Sequence, residues 1–175
     1  MNDSGAALRS VYTEGSIVIR STGSVIEGVC VQEGNIRADE RGRLGEIMRA
    51  DNYCFEKFGQ VYYTTTYPGV VKAWHFHKEQ TDNVYVVKGL LKVALHDQRE
   101  DSSSCGIVNE VYLGEHCPGL LTIPPGVAHG WMCVSGDEAI IINVVTEPYN
   151  YQNPDEYRIP PYDNDIPYDW RRKDG

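Results

Sequence analysis

The chain has 175 residues, of which 41% are hydrophobic and 23% charged, with a formal net charge of −9. That length suits one domain with a substantial core, and the acidic balance argues against general nucleic-acid binding. No apolar run approaches the ~20 residues that cross a bilayer, and Met1–Arg9 lacks the basic and apolar pattern of a secretory signal.

Short β-rich runs recur and helical periodicity is scarce. In chain order the predicted strands are Ser16–Arg20, Gly28–Gln32, Arg43–Met48, Gln60–Tyr67, Val70–His77, Asn83–Lys88, Leu90–Leu95, Glu110–Leu113, Gly119–Ile123, Gly130–Val134 and Glu138–Val145. The segment Tyr53–Phe58 is the one candidate for a short helical turn. Lys88-Gly89 reads as a hairpin turn, and Asp97–Gly106 as a longer exposed loop. So many short strands predict an all-β sandwich, barrel or jelly roll. From Glu147 to Gly175, Pro, Tyr, Asn and Asp dominate, so this tail is expected to be irregular and to wrap over the barrel. The expected organisation is a single domain over 1–175, with a barrel core at about 40–146 and the tail at 147–175. The cysteines at 30, 54, 105, 117 and 133 are odd in number, scattered and without metal-finger spacing. They read as reduced thiols of a cytoplasmic protein.

Two imidazoles stand two residues apart, at His75 and His77, inside the run Val70–His77. On a strand, positions i and i+2 share a face. A third, His129, ends the run Pro124-Pro125-Gly126-Val-Ala-His129. One buried histidine is an ordinary core residue, but three converging imidazoles are a costly way to fill a core. Gly69, His75, His77, Asp82 and Gly89, with Pro124, Gly126 and His129, resemble the two motifs of the cupins, which are double-stranded β-helix barrels. The resemblance implies that jelly-roll fold. It also implies an alternative metal site of three imidazoles and a carboxylate: His75, His77, Asp82 and His129.

A closer resemblance covers about Asp39 to Trp170. Asp39-Glu40-Arg41-Gly42 with Glu46, the stretch Gln60 to His75, Gly126–Gly130, Glu147–Asn150 and Asp163 through Trp170 together look like dTDP-4-dehydrorhamnose 3,5-epimerase and its relatives. That resemblance implies a homodimer that works without a metal, and the charge and the lack of a long apolar run leave neither nucleic acid nor membrane as an expected partner. The implied substrate is a nucleotide-linked 4-keto-6-deoxy sugar. In this likeness His75 matches the base that removes a proton beside the ketone, Asp163 the carboxylate that orients it, and Tyr149 the acid on the opposite face. Arg41, Glu46, Gln60, Lys72 and His129 match substrate-binding positions. The chemistry fits those residue types. An imidazole titrates near neutrality, and a phenol with a reference pKa of ~10 can protonate an enolate.

The chain departs from the family at three positions. Lys72 replaces an arginine and loses its bidentate fork. His77 replaces a glutamine. Asp82 falls where the family carries a lysine facing the developing oxyanion, and a bare carboxylate there would repel an enolate. The sequence leaves three explanations open: Lys72 turns inward, a metal polarises the ketone, or the sugar or the number of inverted centres differs. Two other readings stand beside the epimerase. One is a metal-dependent cupin oxygenase or small-molecule isomerase, and the other a non-catalytic sugar-binding cupin. The nucleotide is not legible; Trp74, Trp131 and the many tyrosines could stack on any base.

Overall fold

A computed structural model describes residues 7–172 of the chain. Its elements are β1 Arg9–Glu14, β2 Ile17–Ser21, β3 Cys30–Glu33, β4 Ile36–Asp39, β5 Gly42–Gly45, β6 Gln60–Thr66 and β7 Val71–Phe76. They continue with β8 Asp82–Lys88, β9 Leu90–Asp97, β10 Val108–Gly114, β11 Gly119–Ile123, β12 Val127–Cys133, β13 Ala139–Val145 and β14 Tyr157–Arg158. A seven-stranded sheet runs β1-β2-β10-β9-β12-β7-β14, a five-stranded sheet runs β3-β11-β8-β13-β6, and β4-β5 forms a separate ribbon. Every pairing is antiparallel. The expected all-β cupin jelly roll is what the chain forms, and β2 and β3, ahead of residue 40, take part in its two sheets.

Alternation along the strands explains the layers. Leu91, Val93 and Leu95 of β9 face inward with Ile17 and Ile19 of β2, Val84 and Val86 of β8, and Leu121 and Ile123 of β11. This is the period-2 pattern of a strand with one buried face. The intervening Ala94 of β9 joins Trp74, Ala128, Met132 and Trp170 in a second cluster, packed also against Ile159, Ile166 and Tyr168 of the tail. The tail therefore covers the outer face of the large sheet. Lys92, on that face, donates from Nζ to the Trp170 and Arg171 carbonyls.

Several expectations are corrected. Lys88-Gly89 is not a hairpin turn. It is a corner at which the chain leaves the five-stranded sheet and enters the seven-stranded one. Gly89 has φ +80°, and a Cβ there would sit 2.9 Å from Ala139 Cα, so only glycine turns this corner without strain. The run Arg43–Met48 shortens to β5, which pairs with the unanticipated β4. Strands β1 and β14 were likewise unanticipated; both are mostly exposed and lack apolar alternation. Tyr53–Phe58 forms no helix; i→i+3 bonds from Asn52 to Arg49 and from Phe55 to Asn52 make turns there instead. The loop after β9 is not simply solvated. Asp97, fully buried, binds Arg99, Ser102 and Ser104. Cys30 and Cys54 are not thiols but a disulfide, their Cα atoms 6.7 Å apart, while Cys105, Cys117 and Cys133 are free. Their separation of 24 residues carries no pairing signal; the fold of the 34–54 segment brings them together.

Candidate active site

A cleft of about 980 Å³ opens between β6, β7, β12 and the tail from Glu147 to Arg158. It falls at the upper end of the range for small-molecule sites. His75 lines it from β7, and the register pairs it with His129 of β12. The two rings lie 5.6 Å apart, with the Trp131 ring 5.7 Å from His75. Lys72, three residues before His75, would face away on a regular strand. A register shift between His129 and Trp131 disturbs the ladder here, and Lys72 lines the same cleft as His75. Gly130 sits at this shift, where a Cβ would meet the Ala73 Cβ at 2.3 Å. Close passage of β12 over β7 therefore demands glycine.

Asp82, at the start of β8, is the electrostatic centre. His129 Nε2 lies 3.0 Å and His77 Nε2 3.4 Å from its Oδ2, and Gln80 Nε2 donates to Oδ1 at 2.6 Å. Burial alone would raise the Asp82 pKa, but the bonds from His129 and His77 hold it well below the usual carboxylate range. Burial would likewise lower His77, but Asp82 and the Asp155 carbonyl raise it to about 9. His75 has no such support. Burial, with repulsion from His129 and Arg158, lowers it to about 3, so it is neutral at pH 7. Tyr62, which accepts a bond from Asn143 Nδ2, is pushed up to about 12 by burial and by Asp82's charge.

Of the residues singled out in the sequence, His75, Tyr149, Gln60, Lys72, His129, His77 and Asp82 are brought together in this cleft. Gln60 Oε1 accepts the Tyr149 N–H at 2.7 Å, which fixes the start of the tail against β6. Tyr149 stacks edge-on to Tyr151. Lys72 does turn inward, but its Nζ is already committed to Thr64 Oγ1 at 3.1 Å and the Thr65 carbonyl at 2.6 Å.

Three residues are not brought in. Asp163 is exposed in the tail and does not line the cleft, so within this chain it does not orient His75. Arg41 pairs with Asp39, and Glu46 with Arg49, both exposed at or just beyond the separate β4-β5 ribbon. The four-residue metal set is also corrected. His77, Asp82 and His129 place ligand atoms within 4.8 Å of one another, and His75 stands outside that group.

The sequence reading missed Asp155, Lys78 and Arg158. Asp155 Oδ1 accepts the Lys78 N–H at 2.8 Å, and its Oδ2 accepts those of Glu79 and Gln80 at 2.8 and 3.1 Å. Its own carbonyl accepts from His77 Nδ1. The turn-forming Asn153-Pro154 was the available signal. Arg158 lines the cleft and pairs with Glu156. Lys78, also at the cleft, sits over the Tyr157 ring at 4.5 Å. Nothing in periodicity marks either as a cleft cation.

Fold and site together define a cupin barrel with an imidazole and a phenol on the walls of one cleft. Residues 24–175 match the family model described as dTDP-4-dehydrorhamnose 3,5-epimerase, and the chain belongs to that family of sugar epimerases. It is 41% identical over 146 residues to the spore coat polysaccharide biosynthesis protein SpsL of Bacillus subtilis, covering 83% of this chain and 97% of that one. It is also 41% identical over 147 residues to the probable low-salt glycan biosynthesis epimerase Agl13 of Haloferax volcanii, covering 83% and 94%. Among solved structures, the dTDP sugar isomerase of Desulfovibrio desulfuricans G20 superposes with a TM-score of 0.80 at 31% identity, covering 85% of this chain and 94% of that one.

Proposed function

We propose that this epimerase acts on a nucleotide-linked 4-keto-6-deoxy sugar and inverts carbon 3, carbon 5 or both. The observation that supports this reading best is that His75 and Tyr149 line one cleft of a size that holds such a ligand. A proton on a carbon beside a ketone is acidic because the charge left behind spreads onto oxygen. His75, neutral and with one bare ring nitrogen, takes that proton. The enolate then takes one from Tyr149 on the other face, and the configuration inverts. His75 ends as imidazolium and Tyr149 as phenolate, and both are reset through solvent in the open cleft. Gln60 steadies Tyr149, and Lys72 and His129 contact the sugar. Lys78 and Arg158 at the cleft meet the diphosphate. Asp163 has no part within one chain.

The same reading takes the protein as a homodimer; the Cys30–Cys54 disulfide removes the thiol argument for a cytoplasmic location. Strand β6 is an edge of the five-stranded sheet, and it leaves Val61 and Tyr63 exposed beside Tyr67 and Val70. An apolar edge of this kind favours pairing with a second copy. The metal-dependent oxygenase weighed from the sequence gives way to membership of the epimerase family.

The test offers a panel of 4-keto-6-deoxy nucleotide sugars in heavy water and follows which protons wash out. Exchange at carbon 3 or carbon 5 is expected for at least one sugar. His75→Ala abolishes exchange everywhere, and Tyr149→Phe leaves exchange but impairs net inversion. Exchange that survives His75→Ala unchanged removes His75 from the mechanism.

A further inference from the structure

We propose that His77, Asp82 and His129 form a binding site for one divalent transition-metal ion, held by the two Nε2 atoms and by Asp82 Oδ2, with its remaining positions open to the cleft. His77 and Asp82 are two of the three positions at which the chain departs from its family's pattern, and the structure places both in one cluster.

The first support is spacing. Nε2 of His129 and of His77 lie 3.0 and 3.4 Å from Asp82 Oδ2, and all three atoms fall within 4.8 Å of one another. Ligands bound at about 2.1 Å, and subtending octahedral to tetrahedral angles at one ion, stand about 3.0–3.4 Å apart.

The second support is proton arithmetic. Nδ1 of His77 faces the Asp155 carbonyl, and Nδ1 of His129 faces the Val127 carbonyl at 3.1 Å. A carbonyl only accepts, so each Nδ1 carries the hydrogen. A neutral ring then has a bare lone pair at Nε2, and both lone pairs aim at a carboxylate oxygen, which is also a lone-pair donor. A second proton on a ring can bridge such a pair, but a single metal ion meets both rings and Oδ2 at once. Anchoring of the far nitrogen on a backbone carbonyl is how metal-binding imidazoles are fixed in tautomer and orientation. Gln80 occupies the other oxygen of Asp82 and leaves Oδ2 to the two rings.

The third support is the division of labour. His75 stands outside the cluster, so an ion there does not consume the base. Two imidazoles and one carboxylate suit Zn(II), Fe(II), Mn(II) or Ni(II) rather than calcium or magnesium. When bound, such an ion supplies Lewis-acid polarisation of a carbonyl oxygen. The site itself is independent of the epimerase reading; its role as the electrophile that replaces the family lysine rests on it.

The experiment uses the full chain with no histidine tag, expressed in zinc-replete medium and analysed by mass spectrometry for metals. It is then stripped with pyridine-2,6-dicarboxylate and titrated with Co(II) while visible absorption is recorded. About one zinc per chain is expected, followed by ligand-field bands that saturate at about one cobalt per chain. His77→Gln, on the cleft wall, and His129→Gln each weaken Co(II) at least about 100-fold while far-ultraviolet circular dichroism shows them folded. His75→Gln keeps the ion and the bands. The proposal is overturned if the folded wild-type chain takes up neither metal at micromolar concentration, or if His77→Gln binds as tightly as the wild type. Proton exchange measured on the same samples separates the two readings. A chain that exchanges but binds no ion loses the metal site and keeps the epimerase; a chain that binds the ion but exchanges no proton does the reverse.

Discussion

Asp155→Ala is the change by which the structure can be tested most sharply. Asp155 ties the irregular tail to the segment between β7 and β8 through the N–H groups of Lys78, Glu79 and Gln80. Burial alone would raise its pKa, but these three donors hold it below the usual carboxylate range. Bonds to a carboxylate are worth ~1.5–3 kcal/mol each when buried. Asp155 is half-buried and the donors are partly wet, so water recovers much of that. A loss of about 2–4 kcal/mol is expected, or about 5–12 °C in melting temperature for a chain of this size. Asp155→Asn keeps an acceptor and loses roughly half as much. Alanine retains the backbone carbonyl that accepts from His77, but frees it to drift with the tail segment that lines the cleft. Proton exchange at the sugar should therefore fall about 10–100-fold in kcat/KM. Thermal melts by circular dichroism and exchange kinetics in heavy water measure both. An alanine variant that melts within about 1 °C of wild type, and exchanges at the wild-type rate, would refute the idea that this knot holds the tail in place.

Burial alone would raise the pKa of Asp97, but Arg99, Ser102 and Ser104 hold it below the usual range. Its contribution is therefore complete above the unfolded value of ~3.9 and is lost as pH falls through the folded value. Asp97→Asn should cost about 3–5 kcal/mol in urea denaturation at pH 7, and the gap to wild type should narrow below pH ~4. Trp170, 2% exposed, packs on Trp74 with ring centroids 5.0 Å apart; Trp170→Ala should lower stability by about 3–5 kcal/mol in the same assay. Thiol titration of unfolded, unreduced protein should count the three free cysteines at 105, 117 and 133, rising to five after reduction.

How much of this was legible in the sequence depends on the range of the interactions. Alternation is local, so the apolar runs in Leu90–Leu95 and Gly119–Ile123 marked their strands. The His75/His77 spacing marked a shared face for the same reason. What alternation cannot show is which sheet a strand joins. The switch at Gly89 between sheets looks in sequence like any two-residue turn. The register shift at Gly130 is equally silent, yet it sits where Lys72 and His75 come to one side. The resemblance to the family carried Gln60 and Tyr149 into the cleft. It carried Asp163, Arg41 and Glu46 as well, and the single chain leaves those three outside. The tail is the hardest part to read because almost none of its order comes from its own backbone pairing. Asp155 is held by the segment between β7 and β8, and Trp170 by Trp74 of β7 and Lys92 of β9, all far earlier in the chain.

The reversal of charge at residue 82 is the feature that most needed a physical account, and the geometry supplies one without invoking an unfavourable site. A free carboxylate facing a developing enolate would oppose the reaction. Asp82 is not free. Its Oδ2 meets two imidazole nitrogens and its Oδ1 meets Gln80, so its lone pairs are spent before any substrate arrives. With one divalent ion bound, the two neutral imidazoles and the carboxylate carry a net charge of about +1. That equals the charge of the lysine the family keeps at this position. The replacement therefore conserves the sign of the field at the cleft wall while changing its source, from one flexible ammonium to a rigid, buried assembly. Seen this way, His77 and Asp82 are one substitution rather than two. The aspartate is tolerable only with the imidazoles beside it, and His77 is held in line only because Asp155, arriving from the tail, fixes the far side of its ring.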